Sequence, residues 1–350
     1  MQTIELRSPY LIFLGNETDA TYAKTGAGLV EWRRDLCKGQ LSLPGGTVDL
    51  GLPAMTIKEA AATGVGSLVI GTAVVGGGIP DTWLDVLEEA ASLGLDIVAG
   101  VHTKLCDIPR LTRAAEKAGT RLVDVRVPPA GLPVGTGRRR SGKRLLTVGT
   151  DCAVGKKYTA LALERDMKAR GMEADFCASG QTGIMIAGKG IPIDSVVSDF
   201  VSGAAELLSP DNREDHWDLI EGQGSIFHPG FCAVTIGLLV GSQPDAFVVC
   251  EEAGRTHISG WPDFRLPTIE DVIYRTIQVG MLTNPDIRCV GVSVNSSRLA
   301  PEAREGYLAE LSARLSLPCV DPLIDGTNAI IDQISAVADT PKAVNGWARA

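Results

Sequence analysis

Residues 144–171 read RLLTVGTDCAVGKKYTALALERDMKARG, and this stretch decides the fold. The apolar run 145–148 predicts a short strand. A loop then opens at Gly149 and closes at Gly155, and from Lys156 apolar residues recur at helical spacing until Gly171 ends the pattern. A strand that breaks into a glycine-bearing loop and then a helix aims successive backbone N–H groups, and the positive end of a helix, at one point, where the lysine adds a charge. That is a phosphate-binding loop. Its spacing departs from the common G-x-x-x-x-G-K-[ST] form, because five residues separate the two glycines and Lys157 stands where a Mg²⁺-holding hydroxyl is expected. Thr159 would replace that hydroxyl only if the helix began late. Anion binding survives the change, since the backbone supplies it; metal-assisted phosphoryl transfer loses a ligand.

Upstream, residues 127–143 (VPPAGLPVGTGRRRSGK) switch abruptly to Pro, Gly and Arg. They predict a linker at 131–143 between a domain at 1–130 and a second at 144–350. Arg138, Arg139 and Arg140 read as a solvated charge run, or else as extra cations for the ligand of the loop they precede, with Arg139 the candidate for that role. Before the linker, SLVIGTAVV, DTWLDVLEEAASLG and LDIVAGV alternate a continuous apolar run, a helical period and a second apolar run. Pro80 and Asp81 mark the start of that helix, and Gly94 its end. A further helix at 108–117 leads to the strand RLVDVRV, and YLIFLG supplies a first strand. The first domain is therefore expected to be a Rossmann-like or flavodoxin-like parallel sheet. The run GTAVVGGGIP lacks the G-x-G-x-x-G spacing of a dinucleotide site and reads as a turn.

The whole chain of 350 residues is 45% hydrophobic and 21% charged, with 40 Gly and only 5% aromatic residues, which suits two α/β domains with many tight strand-to-helix turns. Thirty-three Lys and Arg against 42 Asp and Glu leave a net charge of −9, so nucleic acid and anionic membrane are excluded as expected partners and small molecules remain. No apolar stretch approaches the roughly 20 residues of a membrane span, and the first residues show no secretory pattern. A soluble cytoplasmic protein is expected, and a homo-oligomer on general prevalence. Eight cysteines lie scattered without a C-x-x-C pair, so reduced, mostly buried thiols are expected, with no zinc site or other metal.

Four segments resemble dethiobiotin synthetase and its relatives in order along the chain. These are Gly149-Thr150-Asp151 with Val154-Gly155-Lys156, where the synthetases carry Thr after the Lys; Gln181-Thr182-Gly183 after a strand at 174–179; WDLIEGQG at 217–224, like their strand ending in an acidic Glu-Gly-x-Gly; and VGVSVN at 290–295, like their strand ending in an Asn near the nucleotide base. The resemblance implies a P-loop NTPase-like second domain. A resemblance over nearly the whole chain rests on TDCAVGKKYTA, GQTGIMIAGKGI, SDFVSGAAE, HWDLIEGQGSIFHP, GSQPDAF and CEEAGRTH. These segments are similar to the D-glutamate (D-amino acid) N-acetyltransferase family, DgcN, whose activity implies acetyl-CoA as co-substrate and a D-amino acid as acceptor.

Acetyl transfer to an amine needs a site for the CoA phosphates, a base for the ammonium proton and a donor for the developing oxyanion. The loop Gly149, Thr150, Asp151, Cys152, Ala153, Val154, Gly155, Lys156, Lys157 and Tyr158 would hold the cofactor, with Arg139 and Asn295 beside it. Glu221 leads as base because it ends an apolar strand at the carboxyl edge of a parallel sheet. His228 follows, with a packing role as its alternative; Asp199 is a third candidate, with helix capping as its alternative. A glutamate acceptor carries two carboxylates, for which Arg255 is the expected cation, with Gln181, Thr182, Gln223, Ser225, Thr256 and His257 as hydrogen-bonding partners. His216 and Met185 read as structural. Two other readings compete. One is an ATP- and Mg²⁺-dependent ligase or small-molecule kinase using Lys156, Asp151 and Glu221; the other is a non-catalytic nucleotide or acyl-CoA sensor.

Overall fold

The computed structural model describes residues 3–73 and 77–338. Val74, Val75 and Gly76 of the GTAVVGGGIP turn, and residues 339–350 of the expected second domain, lie outside the described residues. The chain divides into two compact units, one of Thr3–Pro129 with Gly180–Ser195, the other of Ala130–Ser179 with the residues from Val196 onward.

The first unit begins with β1 (Ile4–Glu5), then β2 (Tyr10–Gly15), α1 (Lys24–Arg33), β3 (Cys37–Ser42), α2 (Ile57–Ala62), β4 (Ser67–Ile70), α3 (Leu84–Ser92), β5 (Asp96–Ala99), α4 (Pro109–Ala118) and β6 (Leu122–Asp124). Five of these strands form a sheet in the order β3-β2-β4-β5-β6 with every pair parallel. All six residues of β2 are buried, which is why YLIFLG reads as an unbroken apolar run rather than an alternating one. One face of the sheet, through Leu11, Phe13, Leu68, Ile70 and Ile97, packs on Trp83, Leu87, Ala90 and Leu111 of the helical layer. Phe13 meets Trp83 edge-on at 5.0 Å between centroids. Full burial of each such side chain stabilises the fold by about 1.5–3 kcal/mol. The start and stop signals hold: Pro80 precedes a 3₁₀ turn at Asp81–Trp83 that leads into α3, and Gly94 follows the helix in the left-handed region at φ 96°. The last strand is shorter than RLVDVRV suggested, because the Asp124 carboxylate accepts the Leu105 N–H (2.8 Å) and the backbone turns away after it.

The second unit opens with β7 (Lys143–Gly149), α5 (Lys156–Ala169) and β8 (Ala174–Cys177). Here the chain departs from the contiguous 144–350 domain expected from sequence. α6 (Gln181–Ala187) and β9 (Lys189–Gly190) belong to the first unit, α6 packing on α1 and β9 pairing antiparallel with β1 through Ile4↔Gly190 and Glu5↔Lys189. Next come α7 (Val201–Leu208), β10 (Trp217–Ile220), α8 (Cys232–Ser242), β11 (Ala246–Glu252), the hairpin β12 (His257–Ile258) and β13 (Trp261–Arg265), α9 (Ile269–Gly280), β14 (Arg288–Asn295), α10 (Pro301–Leu315), β15 (Cys319–Val320) and α11 (Asn328–Ala338). The six-stranded sheet runs β15-β14-β11-β7-β10-β8, all parallel, so the loops after β7, β10, β11 and β14 emerge at one carboxyl edge.

The Pro/Gly/Arg stretch is not a free linker. Glu206 accepts the N–H groups of Thr136 and Gly137, and a side chain at Gly203 would lie 2.0 Å from the Pro133 carbonyl, so the segment is laid against α7. Arg140 is buried and donates to the carbonyls of Glu206, Ser209, Gly241 and Ser242; burial pushes its pKa down to about 10. Among the described residues no helix is long and apolar enough to cross a membrane.

Candidate anion-binding site

The loop between β7 and α5 is shaped by two residues with positive φ, Ala153 at 53° and Gly155 at 104°, the second being the N-cap of α5. The helix starts at Lys156, so Thr159 lies one turn in. Its hydroxyl is buried, donating to the Gly155 carbonyl (3.1 Å) and sharing a hydrogen bond with Ser293 (2.7 Å), which removes it as a substitute metal ligand. Lys157 lies over the Tyr158 ring at 4.4 Å.

Lys156 is only 7% exposed. Its Nζ donates to the Asp151 carbonyl of its own loop (2.7 Å), and burial holds the ammonium pKa below the ordinary lysine value. Thr150 is buried with a hydroxyl that finds no partner among the described residues. The cradle thus contains a desolvated cation and an unpaired hydroxyl, both costly unless a ligand meets them.

Asp151 organises the loop. It is fully buried; Oδ1 accepts the Cys152 N–H (2.6 Å), and Oδ2 accepts the Ser259 N–H and Arg255 Nη1, both at 2.8 Å. Arg255 also donates to the Cys152 carbonyl (2.9 Å) and pairs with Glu252, which pairs in turn with Arg298 at 3.0 Å. The sequence reading gave Arg255 to a substrate carboxylate. The structure commits its guanidinium to the protein's own acids and carbonyls, so it clamps the loop.

Gly222 explains how β10 passes so close: a Cβ there would fall 1.7 Å from the Thr147 carbonyl and 3.1 Å from Cδ of Lys156. Beside it Glu221 is 5% exposed, its carboxylate accepting the Ser179 N–H (2.9 Å). Ser179 Oγ donates to the Glu221 carbonyl (2.5 Å) and accepts from Gln223 Nε2 (2.9 Å), while Ser225 Oγ donates to the Thr150 carbonyl (3.2 Å). Glu221, Gln223 and Ser225 are therefore all assembled around the loop.

His228 is buried between Phe231 and Trp261, with centroid distances of 4.5 Å to each. The Gly230 N–H can only donate, and it points at His228 Nδ1 (3.1 Å), so the neutral ring carries its proton on Nε2, which lies 3.9 Å from Asp151 Oδ1. That tautomer has no lone pair left for a general base. Asp151, Cys152 and His228 bring one donor atom each within 4.8 Å of one another, a spacing that a metal ion could use. The donors do not suit one: the Nε2 proton faces the gap, and both carboxylate oxygens already accept N–H groups, one from a guanidinium.

Other candidates fall elsewhere. Arg139 precedes β7, whereas the loop follows it, and seven strand residues span roughly 23 Å. It donates to Asn284 (3.2 Å) and faces Asp245 (3.6 Å), while Arg138 pairs with Asp211, so neither reaches the cradle. Asp199 is exposed in a turn before α7 and makes no side-chain cap, which sets aside its capping reading. Asn295 ends β14 and accepts the Ser297 N–H (3.1 Å); Thr256 and His257 bond to each other on the exposed hairpin. Gln181 and Thr182 line a cavity of the first unit. Ser179 and Ser259 were missed; Ser179 had a positional signal in ending the strand expected at 174–179, but Ser259 contributes a backbone N–H, which no side-chain motif announces.

The comparisons agree with this architecture. Residues 42–128 match a family model described as the DUF1611_N Rossmann-like domain, and residues 133–331 one described as the DUF1611_C P-loop domain. A D-glutamate N-acetyltransferase of Tritonibacter scottomollicae is 47% identical over 332 residues, covering 95% of this chain and 100% of that protein. One from Pseudoalteromonas sp is 47% identical over 328 residues, covering 94% and 99%. The crystal structure of a DUF1611 family protein from Anabaena variabilis superposes with a TM-score of 0.81 at 33% identity, covering 94% of this chain and 100% of that one. With both halves matched by the paired models and a relative of this identity spanning nearly all of it, the chain belongs to the DUF1611 family, a Rossmann-like domain followed by a P-loop domain.

Proposed function

We propose that this protein is an N-acetyltransferase that carries an acetyl group from acetyl-CoA to the amine of D-glutamate, using the 149–156 loop to hold CoA phosphates. The observation that carries the phosphate role is the cradle itself: a backbone nest at a helix N-terminus with a buried Lys156 and an unpaired Thr150 hydroxyl, and with Lys157 where a metal-holding hydroxyl would be. The acceptor and the transferred group follow from relatives that bear that name at 47% identity.

In such a reaction the free amine attacks the thioester carbonyl, the C–S bond breaks, CoA leaves as a thiolate, and the ammonium proton passes to a base. A pantetheine arm is equivalent to about four extended residues, so roughly 14 Å separates the phosphates from the thioester. Glu221 and His228 stand at the phosphate end of that arm. On this reading Glu221 is a positioning residue: its carboxylate fixes Ser179 and its charge lies near Lys156, one of the charges that favour the ammonium form there.

The test is direct. Incubation with acetyl-CoA and a panel of D- and L-amino acids should release free thiol with D-glutamate, while ATP and Mg²⁺ should yield no phosphate. Phosphate release at ordinary enzyme rates, roughly one per second or faster, with no thiol release, would overturn the reading in favour of a ligase or kinase.

A further inference from the structure

The first unit contains a cavity of about 170 Å³ at the carboxyl edge of its own sheet. Its wall includes Thr72 after β4, Gly100 and His102 after β5, Arg126 after β6, and Gln181 and Thr182 at the start of α6. In the order β3-β2-β4-β5-β6 the connections reverse direction beside β2, and the crevice outside the carboxyl ends at such a reversal is where sheets of this kind take ligands.

Two side chains there lack protein partners among the described residues. Thr72 is 4% exposed, and its hydroxyl makes no hydrogen bond among the described residues. Arg126 makes no side-chain hydrogen bond or ion pair among the described residues, unlike the loop-clamping Arg255. A buried hydroxyl without a partner costs about 1–3 kcal/mol, which a ligand oxygen would recover. Gly100 leaves room for Gln181: a Cβ there would stand 2.8 Å from Gln181 Oε1. The wall therefore offers one guanidinium, amide and hydroxyl groups and a histidine on its exposed rim, with no acid among its described residues. The volume is well below the roughly 300–1,000 Å³ of drug-sized pockets.

We infer that this cavity binds a small carboxylate-bearing amino acid, its carboxylate held by Arg126 and Thr72 with Gln181 and Thr182 completing the polar wall. Identification of the ligand as the acetyl acceptor rests on the function proposed above. The sequence reading grouped Gln181 and Thr182 with Arg255, Gln223 and Ser225 as hydrogen-bonding partners of the acceptor; the structure groups them with Arg126 and Thr72.

Titration calorimetry of the full chain with D-glutamate, without acetyl-CoA, tests the site. Wild type should bind, and Arg126→Gln and Thr72→Val should each weaken binding roughly tenfold or more, the value of a charge-assisted contact. Thr72→Ser should retain wild-type binding, and Lys156→Ala should not alter it. If Arg126→Gln fails to fold, Gln181→Glu replaces it: a negative charge in the wall should weaken D-glutamate binding similarly. No heat from wild type, or unchanged affinity in the Arg126 and Thr72 variants, would overturn the site. Binding that depends on Arg126 in a protein that transfers no acetyl group would uphold the site while removing the acetyltransferase reading.

Discussion

At the carboxyl edge of the second sheet, polar groups are bonded to one another: Asp151 to Arg255, Arg255 to Glu252, Glu252 to Arg298, Glu221 to Ser179. At the carboxyl edge of the first sheet, Thr72 and Arg126 line a cavity without protein partners among the described residues. The difference teaches how each site is built. A satisfied ionic network in a low-dielectric setting fixes a loop in one shape before any ligand arrives, leaving Lys156 and Thr150 to respond. Unpaired groups around a small cavity instead leave their bonding capacity for the ligand.

The largest expected effect comes from breaking the network. Arg255→Met leaves the fully buried Asp151 carboxylate without its cation, a loss of about 3–5 kcal/mol. A denaturant melt of the second unit's signal checks it; a loss under about 1 kcal/mol would mean that the clamp is dispensable.

Next is Glu221→Gln. As a positioning residue, Glu221 should show its loss in the KM for acetyl-CoA, by roughly 5–20-fold, with kcat nearly unchanged. A fall in kcat of about 10²–10⁴-fold at constant KM would restore it as the general base. Smaller is a protection effect at Cys152, which lies in the loop and whose thiol pKa burial pushes up. Bound acetyl-CoA should slow its alkylation several-fold while leaving the exposed Cys106 unchanged, measured by peptide mass spectrometry. The smallest effect is Arg139→Ala: an exposed cation at the opposite end of β7 should change the acetyl-CoA KM by less than about twofold, a surface pair contributing under roughly 0.5 kcal/mol.

The second sheet's loop was legible in sequence because its signals are local. An apolar strand, a left-handed glycine and a helix start at Lys156 follow one another within a short stretch of chain, and all three stand where the spacing puts them. YLIFLG was equally plain because full burial removes alternation. What could not be read was non-local. The transfer of α6 and β9 to the first unit depends on pairing far away in sequence, Ile4 with Gly190 and Glu5 with Lys189, for two-residue strands with no periodicity of their own. Arg139 was misplaced because closeness in sequence was read as closeness in space, although the strand expected at 145–148 already separates it from the loop. Arg255 was misread for a related reason: an arginine near a site looks the same in sequence whether it meets a ligand or a buried aspartate.

The claim on which the rest depends is that the 149–156 loop holds the phosphates of acetyl-CoA. Calorimetric titration of wild type and Lys156→Ala with acetyl-CoA tests it most directly. The dissociation constant should rise by roughly 10–150-fold on loss of Lys156, the equivalent of one charge-assisted phosphate contact of about 1.5–3 kcal/mol. Equal affinity in the two proteins would place the cofactor phosphates somewhere other than this loop.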